Sequence, residues 1–134
     1  MIKGINHINL SVKDLDKSFF FYRDILGFTP LCRWSNGAYF LVGDLWFCLS
    51  LCPKGGIAKG YTHYSFTVDA EDFDVYVNKL IELGVETWKD NNSEGESLYI
   101  LDPDGHQLEI HVGDWQSRVA HKKANPWPGA EFFV

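Results

Sequence analysis

No stretch of this sequence stays apolar for the ~20 residues that a membrane-crossing helix needs, so no membrane span is expected. No secretory leader is expected either, because MIKGINHINLSV alternates polar and apolar residues instead of running apolar throughout. Cysteine is sparse. Cys32, Cys48 and Cys52 are odd in number and form no CxxC pair, which argues against a disulfide scaffold and for a reducing, cytoplasmic setting. Basic charge is short too, with 12 Lys and Arg against 18 Asp and Glu and a formal net charge of −6. Nucleic acid calls for a concentrated basic field, and none is evident. A small anion is still compatible, since local cations or a metal can set the potential inside a cleft.

Apolar and aromatic side chains, by contrast, are plentiful. At 46% hydrophobic and 16% aromatic, 134 residues can fill one core, as a single domain over 1–134 or as two small repeated halves that share it. The sequence favours the second form of that statement. GINHINLSV from Gly4 and GYTHYSFTV from Gly60 match at an offset of 56, aligning Gly4 with Gly60, His7 with His63 and Val12 with Val68. Both alternate as half-buried strands do. Ile8, Leu10 and Val12 oppose His7, Asn9 and Ser11, while Tyr64, Phe66 and Val68 oppose His63, Ser65 and Thr67.

A helix pattern follows each strand. The first covers 15–26, with Leu15, Phe19, Tyr22 and Leu26 on one face, Asp14 as N-cap and Gly27 as stop. The second covers 70–83, with Phe73, Val77, Leu80 and Ile81 as its stripe, between Asp69 and Gly84. Extended stretches come next: TPLCRW, AYFLV and LWFCLS in the first half, VETWK, SLYILD and HQLEIHV in the second. The expected fold is α+β, two βαβββ modules over 4–51 and 60–113, joined by the linker CPKGGIAKG and followed by a C-terminal extension over 114–134.

The repeat puts His7 and His63 at equivalent places on the polar faces of their strands. Glu109 lies four residues past the turn glycine Gly105, and its counterpart in the first half is Cys48. Two imidazoles and one carboxylate suit Mn²⁺, Fe²⁺, Co²⁺, Ni²⁺ or Zn²⁺. Three protein ligands leave positions for substrate. His111 shares the parity of Glu109 and reads as an outer partner, and Cys48 as a buried thiol or a soft fourth ligand.

With GINHINLSV, FYRDILGF, RWSNGAY, LWFCLS, YTHYSF, WKDNNSEGES, YILDPDGHQLEIHVG and SRV in place, nearly the whole chain resembles the vicinal-oxygen-chelate proteins, the glyoxalase-like fold. It is most similar to their fosfomycin-resistance glutathione transferases. The LDPDGH…E element is shared by the wider superfamily, whereas WKDNNSEGES with GAY, LW and YTHY is more specific. The resemblance implies a homodimer with a domain-swapped arrangement of modules, so that His7 of one subunit joins His63 and Glu109 of the other around Mn²⁺. The implied reaction adds the glutathione thiol to the epoxide carbon of fosfomycin, a small anionic phosphonate.

Lys89, Arg118, Ser93 and Tyr99 resemble the phosphonate-contacting groups, Trp46 the cavity wall, and Tyr39 the hydroxyl near the thiol. Asn91, Ser93, Gly95 and Ser97 match a K⁺-holding loop. Two departures stand out. Asn9 replaces the threonine usual in glutathione-using relatives, and a donor amide cannot shuttle a proton as a hydroxyl can. Asn92 replaces a usual arginine. The competing expectations are a glyoxalase-like isomerase, which would want a carboxylate where Cys48 stands, an extradiol dioxygenase, and a drug-sequestering protein of the bleomycin-resistance type.

Overall fold

A computed structural model describes residues 1–57 and 60–134; Ala58 and Lys59, inside the expected linker, lie outside the described residues. The first half runs β1 (His7–Val12), α1 (Leu15–Phe20), β2 (Thr29–Trp34), β3 (Gly37–Val42) and β4 (Leu45–Leu51). The second runs β5 (Tyr64–Thr67), α2 (Phe73–Glu82), β6 (Thr87–Lys89), β7 (Ser97–Leu101) and β8 (Gln107–His111). Each half closes into its own open four-stranded sheet, ordered β1-β4-β3-β2 and β5-β8-β7-β6. In both, the first strand lies parallel to the last and the other pairs are antiparallel. This is an α+β glyoxalase-like architecture of paired βαβββ modules.

The repetition extends to register. Cys48 stands between Asn9 and Tyr39, as Glu109 stands between Ser65 and Tyr99. Both outer strands also bulge at the matching place, between Pro30 and Cys32 and between Thr87 and Lys89. A bulge adds a residue to one strand and re-aims the side chains beside it, so Trp88 and Lys89 depart from simple alternation.

Several expectations need correcting. The helix predicted over 15–26 is α-helical only to Phe20 and continues as a π-helix over Phe21–Ile25. Asp14 does cap it, accepting from the Lys17 N–H at 3.1 Å, and Leu15, Phe19, Tyr22 and Leu26 are all buried. The second helix starts later than predicted, at Phe73. Asp72 is its N-cap, and Asp69 instead closes a turn by accepting from the Asp72 N–H at 3.0 Å. Ile81 is 58% exposed; the inward stripe is Phe73, Tyr76, Val77 and Leu80, and Ile81 sits about 100° further round the helix. The C-terminal extension, for which the sequence reading named no element, holds α3 (Trp115–Ala124), which a reciprocal Asp114–Ser117 capping box starts.

One apolar cluster draws on both halves. Tyr22, Phe40, Phe47 and Leu49 meet Leu80, Ile100 and Leu108 in it, and Phe66 packs on Phe28 and Phe47 at ring separations of 5.2 and 6.2 Å. The turn DPDGH ties the modules together with polar bonds. Asp102 accepts from the Tyr22 hydroxyl at 2.7 Å, and Asp104 from the Lys13 N–H at 2.8 Å and Ser18 Oγ at 3.2 Å. His106 Nε2 lies 2.7 Å from the Ser11 carbonyl oxygen. Among the described residues no helix is long and apolar enough to cross a membrane.

Candidate active site

The apolar faces of both sheets turn to the core, which leaves the opposite faces to carry chemistry. Register defines each face. On the first sheet, His7, Asn9 and Ser11 are level with Trp46, Cys48 and Ser50 of β4, then with Leu41, Tyr39 and Gly37 of β3. Cys32 and Trp34 of β2 complete the rows. The His7 ring packs on Trp46 at 4.6 Å, and Trp46 meets Tyr39 edge-on at 5.0 Å. Trp46 Nε1 is buried without a hydrogen-bond partner. Ser50 Oγ donates to Asn9 Oδ1 at 3.0 Å.

The second sheet's face is charged. Glu109, only 6% exposed, lies with Oε2 3.2 Å from His63 Nε2. Its other oxygen accepts from Ser97 Oγ at 2.7 Å, and that hydroxyl also meets His111 Nδ1 at 2.7 Å. Burial pushes the Glu109 pKa up, but the Ser97 hydrogen bond, His111, Ser65 and His63 together outweigh it, and the net shift is downward. A carboxylate ionised at neutral pH is the result.

His63 Nδ1 lies 3.0 Å from the Tyr61 carbonyl oxygen, which can only accept. Nδ1 therefore carries a proton, and Nε2 is the ring nitrogen that faces Glu109, an acceptor like the carboxylate whenever it is unprotonated. Two acceptors 3.2 Å apart need a proton or a cation between them. The spacing matches two ligands bound at a right angle to one ion at about 2.1 Å, which stand about 3 Å apart. His7 is oriented the same way, with Nδ1 2.8 Å from Asn6 Oδ1.

Beside this pair, Lys89 Nζ sits 4.7 Å from the ring centres of both Tyr61 and Tyr99 and donates to the Tyr61 hydroxyl. That hydrogen bond is the largest cause of an upward shift in the Lys89 pKa, which keeps the ammonium charged. Tyr99 pairs with Glu109 across the strands, and its hydroxyl is 3.4 Å from Ser93 Oγ. The loop over 91–97 folds on itself. Asn91 Nδ2 donates to the Gly95 carbonyl at 2.8 Å, and Asn91 Oδ1 accepts from Ser93 N and Oγ at 3.1 and 3.0 Å. Gly95 has φ +81°, and a Cβ there would meet the Val112 carbonyl oxygen at 2.7 Å. Arg118 reaches the loop from α3, bonding Glu94 Oε2 at 3.2 Å and the Glu94 carbonyl oxygen at 2.9 Å.

The structure thus gathers His63, Glu109, Lys89, Ser93, Tyr99, Asn91, Gly95 and Ser97 on or beside one sheet. His7, Asn9, Tyr39 and Trp46 lie on the other. Convergence of His7 with His63 and Glu109 inside one chain, which the repeat alone permits, does not occur: among the described residues their ligand atoms do not form a group within 4.8 Å. The group that does is Asp69, Glu71 and Asp72, a potential divalent-cation site of exposed carboxylates ahead of α2, where negative charge also suits the helix N-terminus. Sequence reasoning passed over Tyr61, Trp88 and Ser65. Tyr61 and Trp88 open the quoted motifs YTHYSF and WKDNNSEGES, but Tyr61 precedes its strand and the bulge at β6 hides the facing of Trp88 from any alternation pattern.

The profile of the Glyoxalase/Bleomycin resistance protein/Dioxygenase superfamily matches residues 4–110. The chain is 46% identical over 136 residues to the glutathione transferase FosA of Serratia marcescens, covering 98% of this chain and 96% of that protein. It is 41% identical over 133 residues to the metallothiol transferase FosB of Staphylococcus epidermidis, covering 94% and 96%. Among solved structures, it superposes with TM-score 0.80 at 30% identity on a glutamate-to-glutamine variant of the fosfomycin resistance protein FosX from Listeria monocytogenes, complexed with Mn(II) and 1S,2S-dihydroxypropylphosphonic acid. That match covers 89% of this chain and 99% of the other.

Proposed function

Because the chain belongs to the glyoxalase/bleomycin resistance/dioxygenase superfamily, and within it to the fosfomycin-resistance proteins, we propose that it inactivates fosfomycin by adding a thiol, glutathione first among the candidates, to the epoxide. A C–S bond forms at an epoxide carbon, the C–O bond breaks, and the thiol proton ends on the freed oxygen. His63 and Glu109 would hold a divalent cation, Mn²⁺ by preference, with His7 of a second subunit as the third ligand. The donor set fits such an ion, since both imidazoles offer Nε2 and the carboxylate is ionised. When bound, the cation supplies Lewis acidity toward the phosphonate and epoxide oxygens.

The chain's own groups do the rest. Lys89 and Arg118 offer charge-assisted hydrogen bonds to the phosphonate, joined by the Ser93 and Tyr99 hydroxyls. The Asn91–Ser97 loop, with Asn91, Ser93, Gly95 and Ser97, would offer hard oxygen ligands to a K⁺ that offsets the substrate's charge. Asn9 has its carbonyl oxygen engaged by Ser50, so its amide N–H bonds are the free donors toward the opening epoxide oxygen. Trp46 walls the small apolar end, and the Tyr39 hydroxyl lies on the thiol side.

The observation that carries thiol addition over water addition is the composition of the first sheet's face. From His7 to Trp34 its rows contain no carboxylate and no lysine. Water, far less acidic than a thiol, requires a positioned general base. A thiol of pKa near 8.5 already holds a few per cent thiolate at neutral pH. Epoxide hydrolysis is the second reading, favoured by the likeness to FosX bound to a dihydroxypropylphosphonate.

The test incubates the purified, Mn²⁺-loaded protein with fosfomycin alone and with glutathione, cysteine or bacillithiol, then weighs the products. A thiol adduct supports transfer, and its size names the thiol. Diol formed equally without thiol overturns transfer in favour of hydrolysis, and unchanged fosfomycin in every arm overturns both.

A further inference from the structure

We propose that Tyr61 is the positioning residue for Lys89, holding the ammonium over the middle of the second sheet where an anionic substrate group arrives; this rests on the reading of Lys89 as a phosphonate contact. Tyr61 precedes β5 at one edge of the sheet and Lys89 belongs to β6 at the other. Three inter-strand spacings, about 14 Å, separate those edges. Neither side chain covers that distance alone, and they meet above the two central strands. There Nζ is flanked by the Tyr61 and Tyr99 rings at 4.7 Å each and donates to the Tyr61 hydroxyl. Among the described residues no carboxylate forms a salt bridge with Lys89.

That combination has a chemical consequence. A carboxylate partner would neutralise the lysine and compete with an incoming phosphonate. Two aromatic faces and a neutral hydroxyl fix the ammonium without spending its charge. Tyr61 is itself braced edge-on against His63 at 5.1 Å and Trp88 at 5.8 Å, so the arm that holds the lysine is steady. A lysine free to roam its rotamers would have to be ordered by each arriving substrate, at a cost in affinity. Tyr61 is 59% exposed, so truncating it opens no core. Its contact with His63 Nδ1 is through the backbone carbonyl and survives any side-chain change.

The experiment compares wild type, Tyr61→Phe, Tyr61→Leu, Lys89→Met and the Tyr61→Leu/Lys89→Met double variant. It measures fosfomycin KM and kcat with Mn²⁺ and glutathione, Mn²⁺ affinity by electron paramagnetic resonance, and inorganic phosphate affinity by tryptophan fluorescence. Tyr61→Leu is expected to raise KM and the phosphate Kd about tenfold with kcat within about twofold, and Tyr61→Phe, which keeps the ring, to restore most of the affinity. In the Lys89→Met background Tyr61→Leu should change neither constant. Phosphate affinity that is insensitive to Tyr61→Leu, an equal loss in the double-variant background, or a parallel fall in Mn²⁺ affinity overturns the assignment. A wild type that binds phosphate through Lys89 and Tyr61 yet leaves fosfomycin intact sinks the fosfomycin reading and keeps the positioning role.

Discussion

Removing one oxygen atom at the joint between the modules, with Tyr22→Phe, is expected to destabilise the fold by about 1.5–3 kcal/mol at pH 8, the range for a hydrogen bond to a charged group. The ring is fully buried and keeps its packing on Phe28 at 5.3 Å and Phe47 at 4.8 Å. Only the 2.7 Å bond to Asp102 Oδ2 is lost. Asp102 is 5% exposed, and its other oxygen still accepts from the Asp104 and His106 N–H groups at 3.0 and 2.8 Å. The phenol's own desolvation is recovered, but leaving a buried carboxylate oxygen without a donor is the larger effect. The sign with pH follows from Asp102, whose pKa burial pushes up against the opposing pull of the Tyr22 hydrogen bond. A carboxyl whose folded pKa exceeds its unfolded value, about 3.9, favours folding fully below that value, and the contribution is lost as pH rises through the folded pKa. Tyr22→Phe takes away a group that lowers the folded pKa, so its penalty should grow from pH 4 to pH 8. Urea titration at both pH values measures it, with a melting shift of roughly 4 °C per kcal/mol for a chain of this length. A penalty below about 0.5 kcal/mol, or one larger at pH 4, would refute the reasoning.

Glu109→Gln keeps the shape and the Ser97 bond but removes the charge. It should lower Mn²⁺ affinity by at least about a hundredfold, the upper end of what losing a mere outer partner costs, with circular dichroism unchanged; undiminished affinity by calorimetry removes Glu109 from the ligand set. Asn9→Thr should raise kcat at saturating fosfomycin by about two- to tenfold, well below the roughly 10²–10⁴ that a positioned proton-transfer group can contribute, because the amide already donates a hydrogen bond; a rate equal to or below wild type shows that the amide is no handicap. Cys48→Asp adds a second carboxylate to the assembled site. Fosfomycin KM should rise by at least about a hundredfold, since one added charge about 5 Å away at an effective dielectric near 20 costs about 3 kcal/mol per unit of substrate charge, while Mn²⁺ affinity holds or improves; an unchanged KM in steady-state assays would place Cys48 outside the site.

The duplication was legible because its signal is long and redundant. Two glycines, two histidines and two strand–helix alternations recur at one offset, and a one-residue slip would have reversed every facing. Glu109 could be placed opposite His63 for the same reason, since parity and turn position agree. What stayed hidden depends on local backbone geometry. Nothing in FYRDI marks a π-helix, because the apolar spacing of Phe19, Tyr22 and Leu26 suits either winding. Ile81 fits an apolar stripe by identity, yet the helix had enough inward residues without it. Trp88 and Lys89 follow a bulge, which breaks the period-two rule that a reader of sequence relies on. Tyr61 precedes its strand, where no periodicity applies.

The two modules share one register and differ in chemistry, and that difference explains more of the site than the repeat does. Asn9 stands for Ser65, Cys48 for Glu109, Cys32 for Lys89, and tyrosine for tyrosine at 39 and 99. Along these matched rows the carboxylate and the lysine stand on the second sheet, and the first has an imidazole among aromatic and small polar neighbours. Had both modules retained a glutamate, two buried carboxylates would face one ion, cancel its charge and occupy the positions a guest must take. With one carboxylate, a divalent ion would keep half of its charge uncompensated, and Lys89, which has no carboxylate salt-bridge partner among the described residues, would add its own beside it. A dianionic phosphonate is the small ligand such a field selects. In the proposed dimer the neutral sheet would face that charge, and a thiol's own acidity would supply the nucleophile without a protein base.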